Sequence, residues 1–177
     1  MRKNYFSKTF KALLAIVSCC AFMNVLAIEI HVQKAGTLPT LLPTCSENTL
    51  KLTGSINGTD VKHLRQLIGA GVTSLDLAGV KIVSGGVAYD GTNKTENDVI
   101  GPAMFKECTK LRSIELPTSI SAILSNAFAR SGLTKVDIPN SVSRLGGDAF
   151  AYCSSLNTVV IGSRVSKLDQ GVFYSSP

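Results

Sequence analysis

The feature that most constrains this chain is a repeat. Phe105, Phe128, Phe150 and Phe173 recur at intervals of 23, 22 and 23 residues. Each follows an apolar residue: Met104, Ala127, Ala149 or Val172. A Leu comes next in the first three units, at 111, 133 and 156. Then an apolar-x-apolar pair appears: Ile114/Leu116, Val136/Ile138 and Val159/Ile161. A turn residue follows, Pro117, Pro139 or Gly162, and two further apolar positions close the unit: Ile120/Ile123, Val142/Leu145 and Val165/Leu168. Periodicity of this length is the mark of a stacked-repeat architecture.

The spacing dictates how one unit folds. The apolar-x-apolar pair has the period of a strand with one buried face. Pro117 and Pro139 then stop the strand, because Pro has no N–H for a ladder. The second pair turns the chain back along the other side of a coil. The Phe and its neighbours are expected to form a short helical or 3₁₀ turn at the coil's end. One coil cannot bury its own apolar side, whereas stacked coils can, each strand about 4.8 Å from the next. The fold class is therefore a β-rich solenoid of 22–23-residue repeats: three full coils and a fourth begun at Phe173. A parallel β-helix of similar period is the rival architecture. The one-residue deficit falls between Phe128 and Leu133, where Ser131 stands in place of the Cys seen at 108 and 153.

The region ahead of the repeats reads differently. Asn57–Asp60 is a turn leading into a good N-cap, and Val61, Leu64, Leu67 and Ile68 share one helical face. Gly69 and Gly71 end that helix. Residues 73–77, TSLDL, read as the first strand of the stack, so the helix is a candidate cap over its open end. Residues 84–99 are rich in Gly, Asn and Thr and read as a loop. Residues 28–49 are weakly patterned.

Charge matters mainly through where it sits. The 177-residue chain has 18 basic and 12 acidic residues. Arg2, Lys3, Lys8 and Lys11 precede residue 28 and no acidic residue does, which leaves 14 basic against 12 acidic. A near-balanced body argues against nucleic acid as a partner, since such proteins carry a basic stripe. The basic start leads into ALLAIVSCCAFM (12–23), too short for a transmembrane helix of about 20 residues and fitting the apolar core of an export signal. Cleavage is expected after Ala27. Ile16-Val17-Ser18-Cys19 also fits a lipidation site, so membrane attachment is expected only through Cys19. The organisation is then 1–27 signal peptide, 28–49 N-terminal segment, 50–100 capping region with helix and first strand, and 101–177 repeats with the last incomplete.

The residues of the repeat carry a family likeness. MFKECTKLRSIELPTSISAILSNAF and AFAYCSSLNTVVIGSRVSKLDQGVF resemble the BspA-like leucine-rich repeat family, whose unit joins Ala-Phe, a Cys, a Leu-x-x-Ile-x-(Ile/Leu)-Pro strand and a Ser-Val-x-x-Ile-Gly return. LKLTGSINGTDVKHLRQLIGAGVTSLDLAGVKIVSGGVAY (50–89) and TENDVIGPAMF (95–105) resemble the N-terminal region of such proteins. The likeness covers roughly 50–176. Gly162 departs from it in place of Pro, and the middle repeat lacks the Cys. The resemblance implies a bacterial secreted or cell-surface protein with a leucine-rich repeat fold. Some members are adhesins for host proteins.

Few residues suggest chemistry. His31 and His63 lack partners at metal-ligand spacing, and no nucleophile elbow, phosphate-binding loop or His-Glu-x-x-His motif appears. A non-catalytic module with no cofactor and no metal is expected. Of the Cys outside the signal, Cys108 and Cys153 occupy one repeat position two coils apart. Two strand spacings exceed the roughly 7 Å reach of a disulfide, so both are expected as buried thiols. The outward strand positions are the candidate partner-binding face: Asp76, Arg112, Ser113, Glu115, Lys135, Asp137 and Thr158. Asp76, Glu115 and Asp137 are expected in one acidic column, offset by Lys135 and Arg112. The partner implied is a protein, a host extracellular one by the family likeness. The coil begun at Phe173 shows no cap, so its open edge is a candidate for self-association. The alternative is a structural N-terminal piece of a longer repeat protein with no ligand of its own.

Overall fold

The computed structural model describes residues 27–177. The signal segment and Cys19 lie outside them. Twelve elements are present among the described residues: β1 (Ala27–Val32), α1 (Leu38–Leu41), β2 (Thr49–Ile56), α2 (Gly58–Ala70), β3 (Ser74–Ile82), β4 (Val99–Ile100), β5 (Ser113–Glu115), β6 (Ala122–Ile123), β7 (Lys135–Asp137), β8 (Arg144–Leu145), β9 (Thr158–Val160) and β10 (Lys167–Leu168).

All strand ladders are parallel, as a coil that always returns in the same sense requires. One bank runs β1-β2-β3-β5 and continues in β7-β9. The Thr134 N–H donates to the Arg112 carbonyl at 3.0 Å and joins the two parts. The return strands form the second bank, β10-β8-β6-β4. Register matches the repeat columns: Leu75 faces Ile114, Val136 faces Val159 and Ile123 faces Leu145. The apolar columns read from the sequence are the core. Leu111, Leu133 and Leu156 are buried between the banks, as are Ile120 and Val142.

The Phe column is the spine of that core. Phe105, Phe128 and Phe150 are fully buried. Their rings stack nearly parallel, with centroids 5.5 and 5.1 Å apart, and Phe173 continues the pile at 5.5 Å. The segments around them are tight turns, not the helical or 3₁₀ turns expected. Backbone handedness is the reason. Ala103, Asn126, Asp148 and Gly171, two residues before each Phe, have φ between +53° and +73°. Glu107, Arg130, Tyr152 and Ser175, two residues after, have φ between +53° and +61°. A left-handed residue on each side prevents a right-handed helix from propagating. The turn amides then point along the stack. Phe105, Phe128 and Phe150 donate to the carbonyls of Ala127, Ala149 and Val172 at 2.7–2.8 Å.

The N-terminal part departs further from the sequence reading. The segment read as weakly patterned holds β1, whose Ile30 and Val32 are buried, and β1 pairs with β2 along its whole length. The first strand of the stack is therefore not residues 73–77: β1 and β2 come before β3. The chain α2 connects β2 to β3 as the crossover that parallel strands need. It starts at Gly58, with Asn57 as N-cap and Asp60 completing a capping box. Its predicted face is the buried one: Val61, Leu64, Leu67 and Ile68.

Asp60 does more than cap. Its buried carboxylate accepts from the backbone N–H groups of Gly36, Leu38 and Asn57. It thereby ties the turn before α1 to the start of α2. His63 is buried beside it on the same helix, with Nε2 2.7 Å from the Leu42 carbonyl and Nδ1 3.2 Å from Gln66 Oε1. Its role is structural. The loop after β3 is pinned by a Gly85–Thr95 bridge and by the Tyr89 hydroxyl, which donates to the Pro102 carbonyl at 2.8 Å.

Candidate functional site

The outer face of the first strand bank is built by strand alternation. In β5 and β7 the pattern is exposed–buried–exposed, which sends Ile114 and Val136 inward and Ser113, Glu115, Lys135 and Asp137 outward. Register then lines the outward residues into rows. One row runs Glu29–Lys51–Asp76–Glu115 across β1, β2, β3 and β5, and Asp137 and Val160 carry it over the β7–β9 pair. The neighbouring row runs Ala27–Thr49–Ser74–Ser113, followed by Lys135–Thr158. The Ser113 and Ser74 hydroxyls are 2.8 Å apart.

The electrostatics of the first row are uneven. Lys51 pairs with Glu29 at 3.2 Å. Asp76 turns one oxygen to the Ala78 N–H at 2.9 Å. Lys135 meets Asp137 at 2.8 Å, and the hydrogen bond to Asp137 with its charge holds the Lys135 ammonium pKa above the ordinary value. These pairs are solvated and add little to stability. Glu115 makes no ion pair among the described residues.

Two residues depart from expectation. Arg112 does not offset the acidic row. Its Nη1 donates to the Gly132 carbonyl at 3.0 Å, in the turn of the next coil. Gly132 makes room for it, since a Cβ there would lie 2.5 Å from that nitrogen. Thr158 is outward, but its hydroxyl donates to Asn157 Oδ1 at 2.9 Å. The sequence reading also missed Glu29 and Lys51. The alternation of Thr49, Lys51 and Thr53 with Leu50 and Leu52 was the signal that could have found them.

Cys108 and Cys153 are buried free thiols, and Cys45 is a half-buried one. Burial pushes the Cys108 thiol up to about 11. Among the described residues no group of three His, Cys, Asp or Glu is placed to hold a metal ion. No helix among them is long and apolar enough to cross a membrane.

Two parallel strand banks joined by short coils of 22–23 residues, with a buried aromatic spine, define a leucine-rich repeat solenoid. Residues 92–177 match the BspA type leucine-rich repeat region in six copies. No curated protein matches the chain significantly. Among solved structures, a leucine-rich repeat protein from Bacteroides ovatus is similar at 24% identity and a TM-score of 0.45, over 86% of this chain and 38% of that one. A leucine-rich cell surface protein from Faecalibacterium prausnitzii is similar at 23% identity and a TM-score of 0.37, over 63% of this chain and 33% of that one. The chain thus spans little more than a third of the length of the solved proteins it matches.

Proposed function

We propose that this chain is an extracytoplasmic protein-binding module of the bacterial surface, without catalytic activity, whose partner docks on the outer face of the first strand bank. Adhesion to a host extracellular protein is the role this reading favours. The observation that carries it is the row Asp76–Glu115–Asp137, a line of acids on the outer face, half-buried at Asp76 and exposed at the other two, in which Glu115 stays unpaired. Rigid strands fix its spacing, so a partner presenting basic side chains pays little to order it. The segment β1–α1–β2–α2 serves in this reading to close the end of the stack. Support comes from Arg65, whose Nη1 donates to the carbonyls of Ala103 and Met104 at 3.1 and 2.9 Å. Lys110 also donates to the Gly69 carbonyl at 2.8 Å.

The test is binding of the chain to immobilised soluble extracellular-matrix proteins, with Glu115→Lys/Asp137→Lys as the variant. A partner held by this face loses at least tenfold in affinity, and the loss tracks ionic strength. Binding of every captured protein that survives the charge reversal unchanged refutes the assignment.

A second reading rests on a different observation. Val160, Ile161 and Leu168 in the last coil are 52, 47 and 59% exposed, and β9 is hydrogen-bonded on one side only. Exposed apolar residues beside a free strand edge invite a second copy of the chain. Sedimentation velocity of the chain against Val160→Lys/Ile161→Lys checks this. A concentration-independent monomer for the unmodified chain ends it.

A further inference from the structure

A second recognition surface lies away from the strand face, where return strands β8 and β10 lead into the Phe turns. An open cavity of about 740 Å³ sits there, within the roughly 300–1,000 Å³ typical of small-ligand sites. Its floor is glycine. A Cβ at Gly171 would fall 2.3 Å from an Asp148 carboxylate oxygen, and one at Gly147 would fall 3.2 Å from the Gln170 carbonyl. The coil of Phe128 carries Ser125 and Asn126 at the repeat positions of Gly147 and Gly171.

The walls combine two chemistries. Tyr152 and Tyr174 are 44 and 57% exposed, although the other aromatic rings of the repeats are buried in the spine or half-buried at its end. The Tyr152 ring is held from one side by the Arg130 guanidinium, 4.6 Å from its centroid, and meets Tyr174 edge to face at 5.4 Å. The Tyr174 ring is the more exposed of the two. Ser125, Asp148, Asp169 and Gln170 line the same cavity. Asp169 is occupied by Arg144, at 3.1 and 2.6 Å. Asp148 has no ion-pair partner among the described residues.

We propose that this cavity binds a neutral saccharide, with the Tyr174 ring beneath the C–H face of a pyranose and Asp148 and Gln170 taking its hydroxyls. A pyranose is the ligand class that presents an apolar face and a rim of groups that both donate and accept. An exposed aromatic ring matches the first. A carboxylate and an amide side by side match the second, with two acceptor oxygens on Asp148 and a donor and an acceptor on Gln170. An anionic ligand would meet the carboxylates of Asp148 and Asp169. An apolar one would leave Asp148 and Gln170 desolvated without partners.

The experiment is saturation-transfer NMR on the full chain with five neutral trisaccharides: maltotriose, cellotriose, mannotriose, xylotriose and chitotriose. Transfer to the ring C–H protons of at least one sugar is expected. Tyr174→Ala and Asp148→Asn, at an exposed ring and at a left-handed position that Asn tolerates, should each lower its affinity at least tenfold with an unchanged unfolding midpoint. Glu115→Lys should leave sugar binding as it was, so this site and the strand-face reading fail independently. No transfer from any of the five at millimolar sugar overturns the proposal. So does transfer that persists in Tyr174→Ala/Asp148→Asn.

Discussion

The Ser131 hydroxyl lies 3.4 Å from the Cys153 thiol, in the buried column that Cys108 begins two coils away. Ser131 thus marks a position where a thiol would sit next to a thiol. The substitution Ser131→Cys should fold, and mild oxidation should link the new thiol to Cys153. Closing a loop of that length is worth about 3 kcal/mol where geometry permits. Thiol titration under denaturant, before and after oxidation, checks this: two titratable thiols should disappear. Their persistence would mean that adjacent coils are not in the register described.

Cys108 should make stability fall in alkali. Burial raises its folded-state value from 9.0 to about 11. A group whose folded value is raised contributes fully below its unfolded value and loses that contribution as pH climbs through the folded one. The urea midpoint should therefore drop between pH 9 and 11. Cys108→Ala should flatten that part of the profile, and an identical slope in the variant would remove Cys108 as its source.

Asp60 should be among the costliest polar residues to replace, since it is fully buried. Asp60→Ala leaves three N–H donors, the buried one of Leu38 and the partly buried ones of Gly36 and Asn57, without their acceptor. The expected loss is about 3–5 kcal/mol in chemical denaturation. Asp60→Asn retains one acceptor oxygen and should lose less. Equal losses for the two would show that shape, not hydrogen bonding, matters at this site.

The aromatic spine should be graded along its length. Phe128 is fully buried between two stacked rings, whereas Phe173 is only half-buried. Phe128→Ala should cost about 3–5 kcal/mol, and Phe173→Ala clearly less. Thermal unfolding of both variants under one condition is sufficient to rank them.

The repeat was legible because each column is local and recurs: a Phe, a Leu, an alternating pair and a Pro announce a coil without knowledge of its neighbours. What stayed hidden depends on residues distant in sequence. Residues 28–32, IEIHV, alternate as a strand should, but they adjoin the apolar signal segment and have no turn residue ahead of them. Asp60 shows its helix-capping role in the sequence, yet its hold on Gly36 and Leu38 spans 24 and 22 residues. Arg112 precedes β5, where strand alternation no longer fixes direction, and its charge beside Ser113 and Glu115 reads as part of the outer face. Its hydrogen bond to the Gly132 carbonyl in the next coil draws it aside. The sugar-site candidates escaped for a related reason. Tyr152 and Tyr174 follow their Phe residues by two positions and by one, so they share no repeat column, and only the coil geometry brings them together.

The turn amides give the stack a direction. Phe105, Phe128 and Phe150 all donate toward the C-terminal side, to Ala127, Ala149 and Val172. Peeling away any coil from that side therefore orphans the turn donors of the coil before it, while peeling from the other side orphans acceptors, which water and spare lone pairs tolerate better. Under load, fraying from one end therefore exposes turn donors and fraying from the other exposes acceptors, and the two ends of a superficially periodic rod are mechanically unequal.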